Sequence, residues 1–439
     1  PAFNPSSKEK YIQEDAILTM DNTSKKPFFY GWIIIGCLFL IAMFPMVFYS
    51  TFFSYYQMPI STEFGCTYAE FSVANVMSTI ASILFSLTLA SKLGKGNLRL
   101  YMLIGGIIGS AALVVQSYVT AIWQLYITFF IVNFAFAAIT YVPINILISQ
   151  WFVDKKALVT SIVFTGSGVG GMVFSGMFAK VLADHGWRNG FRLTALICII
   201  TVLINFIFIR KTPAEKGQEP YRLKNAQAHQ AAAGAPVWAG LSKGEAVKTV
   251  PFYFYAGALI CCGIVAAGVF TQVPTFLTEN GGNYAAVMAV VSGAGILGKL
   301  VIGPVIDKIG IKKGAILTCT FAVISLICLA LVPEFGSTSA FAMAVIMPFG
   351  SCITSLAPPL LTGQIFGYKD YGGIYGLGNS CFMAGCMIGP MLSSGIRTAT
   401  GSYFAAWIAC MVAYVLLALC VILSMNTGKS LKPKTHKGE

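Results

Sequence analysis

Lys299 lies inside AAVMAVVSGAGILGKLVIGP (285–304), a run in which every other side chain is apolar or small. A cation near the centre of a bilayer costs roughly 2.5–3.5 kcal/mol even on lenient insertion scales. Such a charge persists where it faces a polar or watery cavity, and there it can receive an anion. Asp307 is eight residues further on. That is roughly 12 Å of helix at ~1.5 Å per residue, too far for the lysine stem to snorkel easily to that end. Tyr49, Phe53 and Tyr56 follow one another at spacings of three to four, so they share one helix face. Gln272 and Asn379 are amides within apolar runs, able either to bond neighbouring helices or to touch a solute.

No partner for proton relay is evident beside that lysine. The carboxylates nearest the runs, Glu70 and Asp307, stand at run ends, and the others lie in loops or tails. His185, His229 and His436 fall in a loop, a linker and a tail. Without an intramembrane Asp, Glu or His the usual side-chain relay is missing. Either Lys299 itself carries a proton, or an anion neutralises it at each crossing. The second arrangement, exchange or facilitated movement, is favoured over dedicated proton symport.

The elements that must position these residues are membrane helices. The chain is 56% hydrophobic and only 10% charged, where soluble domains carry about 25% charged residues. Its mean hydropathy is +0.76. Apolar runs of about 20 residues, each able to cross a 30 Å hydrocarbon layer, recur along the sequence. They predict an all-α integral membrane protein of twelve transmembrane helices in two six-helix halves. The expected organisation is a cytoplasmic tail (1–29), an N-terminal half (30–209), a polar linker (210–248), a C-terminal half (249–425) and a second cytoplasmic tail (426–439). The linker, rich in Ala, Gln, Gly and Lys, has room for a short amphipathic helix on the membrane surface.

The net charge of +13 follows from this topology. Of the 29 Lys and Arg, 24 fall in segments on the side of the termini and three (Arg188, Arg192 and Arg397) on the other. The remaining two, Lys180 and Lys299, lie within spans. The positive-inside rule places both termini in the cytoplasm, with the protein in the cell membrane. Nucleic acid is not an expected partner; the expected ones are the lipid bilayer, a small organic anion, and protons or a counter-anion, with the chain a monomer.

Enzyme chemistry is not expected, and neither is a cofactor or a metal. TGSGVGG (165–171) has the glycines of a phosphate loop but lies mid-span with no preceding strand and no P-loop lysine. Its small residues suit close helix contact. The same role is expected of Gly293, Gly295 and Gly298 beside Lys299. The twelve Cys show no CxxC or Cys/His spacing and behave as small hydrophobes. Pro358–Pro359 predicts an irregular tenth helix with backbone groups freed toward a cavity.

GPVIDKIGIKK (303–313) resembles the loop signature G-x-x-x-D-R/K-x-G-R/K-x-x of the major facilitator superfamily. QWFVDKKALVTSIVFTGSGVGGMVFSGMFAKVLADHGWRNGF (150–191) is similar to its monocarboxylate and oxalate–formate antiporter branch, as is YGW at 30–32. The resemblance implies that Lys299, four positions before Gly303, binds a substrate carboxylate. It implies cavity lining by Tyr141, ten residues before Trp151, and by Ser351 and Ser355 where an aromatic pair would be expected. It further implies gating by the loop residues Asp307, Lys308, Lys312 and Lys313. Two departures matter. The position of a second basic residue, near Phe382, is not basic, so a dicarboxylate is disfavoured. The position of a symporter's Asp, one turn before Lys299, is Gly295.

The leading reading is a secondary transporter of a small organic monocarboxylate, working by alternating access through anion exchange or proton coupling. The alternatives are a carrier of a neutral or zwitterionic solute, with Lys299 structural, and a transporter-like sensor that binds without moving its ligand.

Overall fold

The structure, a computed structural model, describes residues 28–222, 240–280 and 284–431. The tail up to residue 27, the middle of the linker with its expected surface helix, and the tail from residue 432 lie outside the described residues. The sequence's low polarity leaves backbone groups no partner but one another, so the described chain is helical throughout its spans. In the N-terminal half, α1 (Gly31–Met43) continues through a π-helical turn at Val47–Thr51 into Phe53–Phe64. It is followed by α2 (Tyr68–Thr88), α3 (Leu98–Gln116) and α4 (Ile122–Phe136, resuming as Tyr141–Trp151). In the C-terminal half, α7 (Val250–Phe270), α8 (Tyr284–Ile309) and α9 (Ile311–Ala330) precede α10 (Val332–Ser351, resuming as Ile353–Phe366). The last two helices are α11 (Tyr371–Thr400) and α12 (Tyr403–Gly428).

Ten helical stretches among the described residues are long and apolar enough to cross a membrane. Two features bring these to the twelve expected crossings. The 53-residue run Lys156–Phe208 would be roughly 80 Å long at ~1.5 Å per residue, more than any single crossing needs. It turns at Gly186, whose φ of 77° is open to glycine, and so forms α5 (156–185) and α6 (187–208). α11 is the other addition: its 30 residues carry so many glycines and serines that composition alone does not mark it.

Each half has its own apolar core, one around Trp151, Phe129 and Phe178, the other around Trp407, Tyr255 and Phe366. Within the second half α7 and α11 touch backbone to backbone. A Cβ on Gly263 would come within 2.0 Å of the Phe382 carbonyl oxygen, so only glycine fits there. The mid-span glycines of α5 do the same against α1, with Gly166 facing the Phe39 carbonyl and Gly170 that of Met43. Gly298 packs on the backbone of Pro348, whereas Gly293 and Gly295 meet nothing within 4 Å. The close-contact role expected for those two therefore does not apply.

The two faces of the bundle are held differently. On the face carrying the linker, Asn145 donates to the Tyr375 hydroxyl (2.9 Å) and Lys95 faces Asp370 (3.9 Å), both across the halves. On the far face, ion pairs stay within a half: Arg188 with Glu63 (2.6 Å), and Arg397 with Glu279. Glu63 also accepts from the Trp187 indole at 2.6 Å, tying the end of α1, beyond its apolar span, to the α5–α6 turn.

Burial pushes the Glu63 carboxyl up, but the bonds from Trp187 and Arg188 and the Arg188 charge outweigh it and hold it below its ordinary value. A lowered folded-state pKa stabilises above the unfolded value and is lost as pH falls through the folded one. Purified protein carrying Glu63→Gln is therefore expected to melt below wild type at pH 7. The gap should close as pH falls through about 4 and below, checked by melting curves across that range.

Candidate functional site

Polar side chains gather where the helices lose regularity. The π-helical turn of α1 contains Tyr49. The break of α4 at 137–140 precedes Tyr141. In α10 the helix breaks at Cys352, and Pro358 and Pro359 supply no N–H, so the carbonyls of Thr354 and Ser355 lose their usual i+4 donors. Irregular backbone at this depth is tolerated where it lines a cavity, and each of these sites does so.

A cavity of about 210 Å³ lies between the halves, walled by α1, α2, α4 and α11. Tyr49, Phe53, Tyr141 and Asn379, all singled out in the sequence, line it. A smaller chamber of about 80 Å³ adjoins it, lined by Ser355, Thr354, Tyr375 and Phe382 together with the shared Tyr141 and Asn379. The linker-face contacts close the floor: Asn379 donates to Ser86 Oγ at 3.0 Å, and a Cβ on Gly376 would come within 2.3 Å of Ala90 Cβ. Beyond them Tyr375, Tyr371 and Tyr368 stack in series, centroids 5.8 and 5.6 Å apart, toward Lys156, whose amine bonds the Tyr368 hydroxyl.

The wall of the larger cavity sets a row of polar but uncharged side chains among apolar ones such as Met46, Phe136 and Met383. Asn133 donates to the Tyr49 oxygen, which also lies 3.3 Å from Ser78 Oγ. Asn75, Ser78, Thr79, Ser82 and Ser86 all line it from α2. Reasoning from charges and aromatics passes over this row, yet its signal is plain in the sequence: the positions differ by three, one, three and four and fall on one helical face.

Other sequence candidates lie elsewhere. Tyr56 is 2% exposed, stacks on Phe191 at 4.0 Å and bonds Thr194; it belongs to the core of the N-terminal half and does not share the cavity face with Tyr49. The π-helical turn explains this, because it shifts the register that the 3.6-residue period assumes. Gln272 sits just past α7, outside both cavities. Lys299 also lines neither. Its amine crosses from α8 to α5, donating to the Phe164 carbonyl at 3.0 Å, with Ser167 Oγ at 3.4 Å. The Phe164 ring stacks on Tyr141 at 5.6 Å, so Lys299 stands one aromatic layer behind the cavity wall.

Asp307 reaches across the halves. Its two oxygens accept from the backbone N–H of Ala157 (3.0 Å) and Leu158 (2.8 Å), the first turn of α5, where a negative charge meets unpaired donors and the positive helix end. Lys312 donates to Asn426 within its own half at 2.8 Å. Lys308 and Lys313 have no hydrogen bond or ion pair among the described residues.

The description Major Facilitator Superfamily matches residues 37–390. Among curated proteins, Monocarboxylate transporter 12 of Rattus norvegicus is 21% identical, over 87% of this chain and 82% of its own. Monocarboxylate transporter 13 of the same species is 24% identical, over 83% and 84%. The crystal structure of the E. coli fucose:proton symporter FucP superposes with a TM-score of 0.64 at 10% identity, covering 90% of this chain and 99% of that one.

Asp307→Ala removes a helix-end acceptor of the kind worth about 0.5–2 kcal/mol. Because this one joins the halves, the linker face should part more readily. A cysteine introduced at Ser149, which lines a small cleft on that face, should then react several-fold faster with an impermeant maleimide in detergent than it does with Asp307 intact. The parental chain's own cysteines supply the background.

Proposed function

This chain belongs to the Major Facilitator Superfamily, and from that premise we propose that it is a secondary transporter moving a small organic monocarboxylate by alternating access of its two halves. The observation that carries the reading is Lys299, a mid-helix cation that reaches across the halves to a neutral carbonyl and has no acidic partner among the described residues. A lone ammonium gains more from a carboxylate than from a carbonyl, since two opposite full charges attract in addition to the hydrogen bond. An arriving carboxylate therefore has reason to displace Phe164 and Ser167. The names of relatives that match most of the chain's length support the same class of cargo.

Displacement of that contact would loosen α8 from α5 and favour parting of the linker face, which couples binding to reorientation. Asp307 on the first turn of α5 and Lys95 opposite Asp370 would be the clasps that reorientation must open. Lys308, Lys312 and Lys313 would serve the open state. The absence of an acid one turn before Lys299 supports exchange of anions over dedicated proton symport. The distribution of Lys and Arg supports a cytoplasmic location of both termini at the cell membrane.

One observation favours a second reading, carriage of a neutral solute. The cavity wall holds no charge, and Lys299 is bonded away from it. The two readings separate in proteoliposomes. Lys299→Gln should insert and fold normally yet lose at least about tenfold in carboxylate counterflow, the worth of one charge-assisted bond of ~1.5–3 kcal/mol. Undiminished carboxylate counterflow in that variant would assign Lys299 a structural part and leave the neutral-solute reading standing.

A further inference from the structure

We propose that the larger cavity reads hydroxyl groups, so that the cargo is a polyhydroxylated small molecule. For its charged end alone, the inference rests on the carboxylate reading above.

The argument begins with α2. A lipid-embedded helix gains nothing from a row of hydroxyls and amides, yet Asn75, Ser78, Thr79, Ser82 and Ser86 lie within an arc of about 100° at 3.6 residues per turn. All five reach the cavity. From Asn75 to Ser86 the row runs roughly 16 Å along the helix at ~1.5 Å per residue, ending at the closed floor. Opposite it α4 contributes Asn133 and Tyr141.

Some of these groups are spoken for. Ser86 accepts from Asn379, Thr79 donates to the Asn75 carbonyl, and Ser78 joins Tyr49 and Asn133. The Asn75 amide, the Ser82 hydroxyl and the Tyr141 hydroxyl have no hydrogen-bond partner among the described residues. Each both donates and accepts, as an alcohol does. A carboxylate accepts only, and would leave the acceptor side of all three unused. An aliphatic chain would do worse, because polar groups left unpaired on desolvation cost about 1–3 kcal/mol each. A solute with several hydroxyls matches the set from mouth to floor. Sites built to bond a hydroxyl also reject the analogue that lacks it.

The test uses probes with one carbon count: butanoate, 2,3,4-trihydroxybutanoate and the neutral tetrol erythritol. Ligand-dependent thermal stabilisation of the purified full chain reports binding of each. The trihydroxy acid should bind at least about tenfold more tightly than butanoate, the worth of one or two neutral hydrogen bonds. Asn75→Leu and Ser82→Ala should each shrink that preference, weakening the trihydroxy acid while relieving the desolvation cost that butanoate meets. Lys299→Gln should weaken both acids equally and keep the preference. Erythritol binding as well as the trihydroxy acid, and equally in Lys299→Gln, would sustain hydroxyl recognition and remove the carboxylate reading. Butanoate binding as tightly as the trihydroxy acid would overturn the inference, as would a preference untouched by both α2 variants. Failure of both hydroxylated probes to stabilise the protein would overturn it too.

Discussion

At the depth of a hydrocarbon layer a backbone N–H or C=O has no water to turn to, so each must be paired inside the protein or border a wet space. The rest of this molecule depends on that constraint. It makes the spans helical, and it makes every departure from the helix conspicuous. The π-helical turn of α1, the break of α4 and the proline pair of α10 come from three different helices and converge on two adjoining chambers. Their side chains follow: Tyr49, Tyr141 and Ser355 are placed by irregular backbone, not by the helical period.

This separates what the sequence discloses from what it hides. Span number is legible because hydropathy acts over whole segments and survives local irregularity. Only α11 escapes a composition test, since its glycines serve contacts with α7 and with α2 and lower its apolarity. Tyr141, Tyr49, Phe53 and Asn379 line the cavity. Tyr56 does not, because an inserted π turn between it and the start of the helix moves it to another face. The α2 row was legible too, but only to a search for polar periodicity. Hydroxyls one at a time are common in membrane helices, and their meaning lies in the spacing.

Lys299 shows how a sequence can mark a costly charge while leaving its partner open. An ammonium in an apolar run demands a partner, and the sequence offers no acid. The partner is a main-chain carbonyl of the other half, one aromatic layer behind the cavity. That carbonyl compensates the charge, and nothing about chain composition marks Phe164 for it.

Two of the contacts between the halves on the linker face are built from different physics. Asp307 is held by short bonds from two backbone amides at a helix end. Lys95 and Asp370 face each other across 3.9 Å, and the lysine side chain is 71% exposed. Salt weakens the second more than the first, because the second is a long ion pair with an exposed lysine, whereas the first is a set of short hydrogen bonds to neutral amides. Raising ionic strength therefore weakens the Lys95–Asp370 pair ahead of the Asp307 contact. The hold between the halves is thus uneven across this face, and the salt of the surrounding medium sets how uneven.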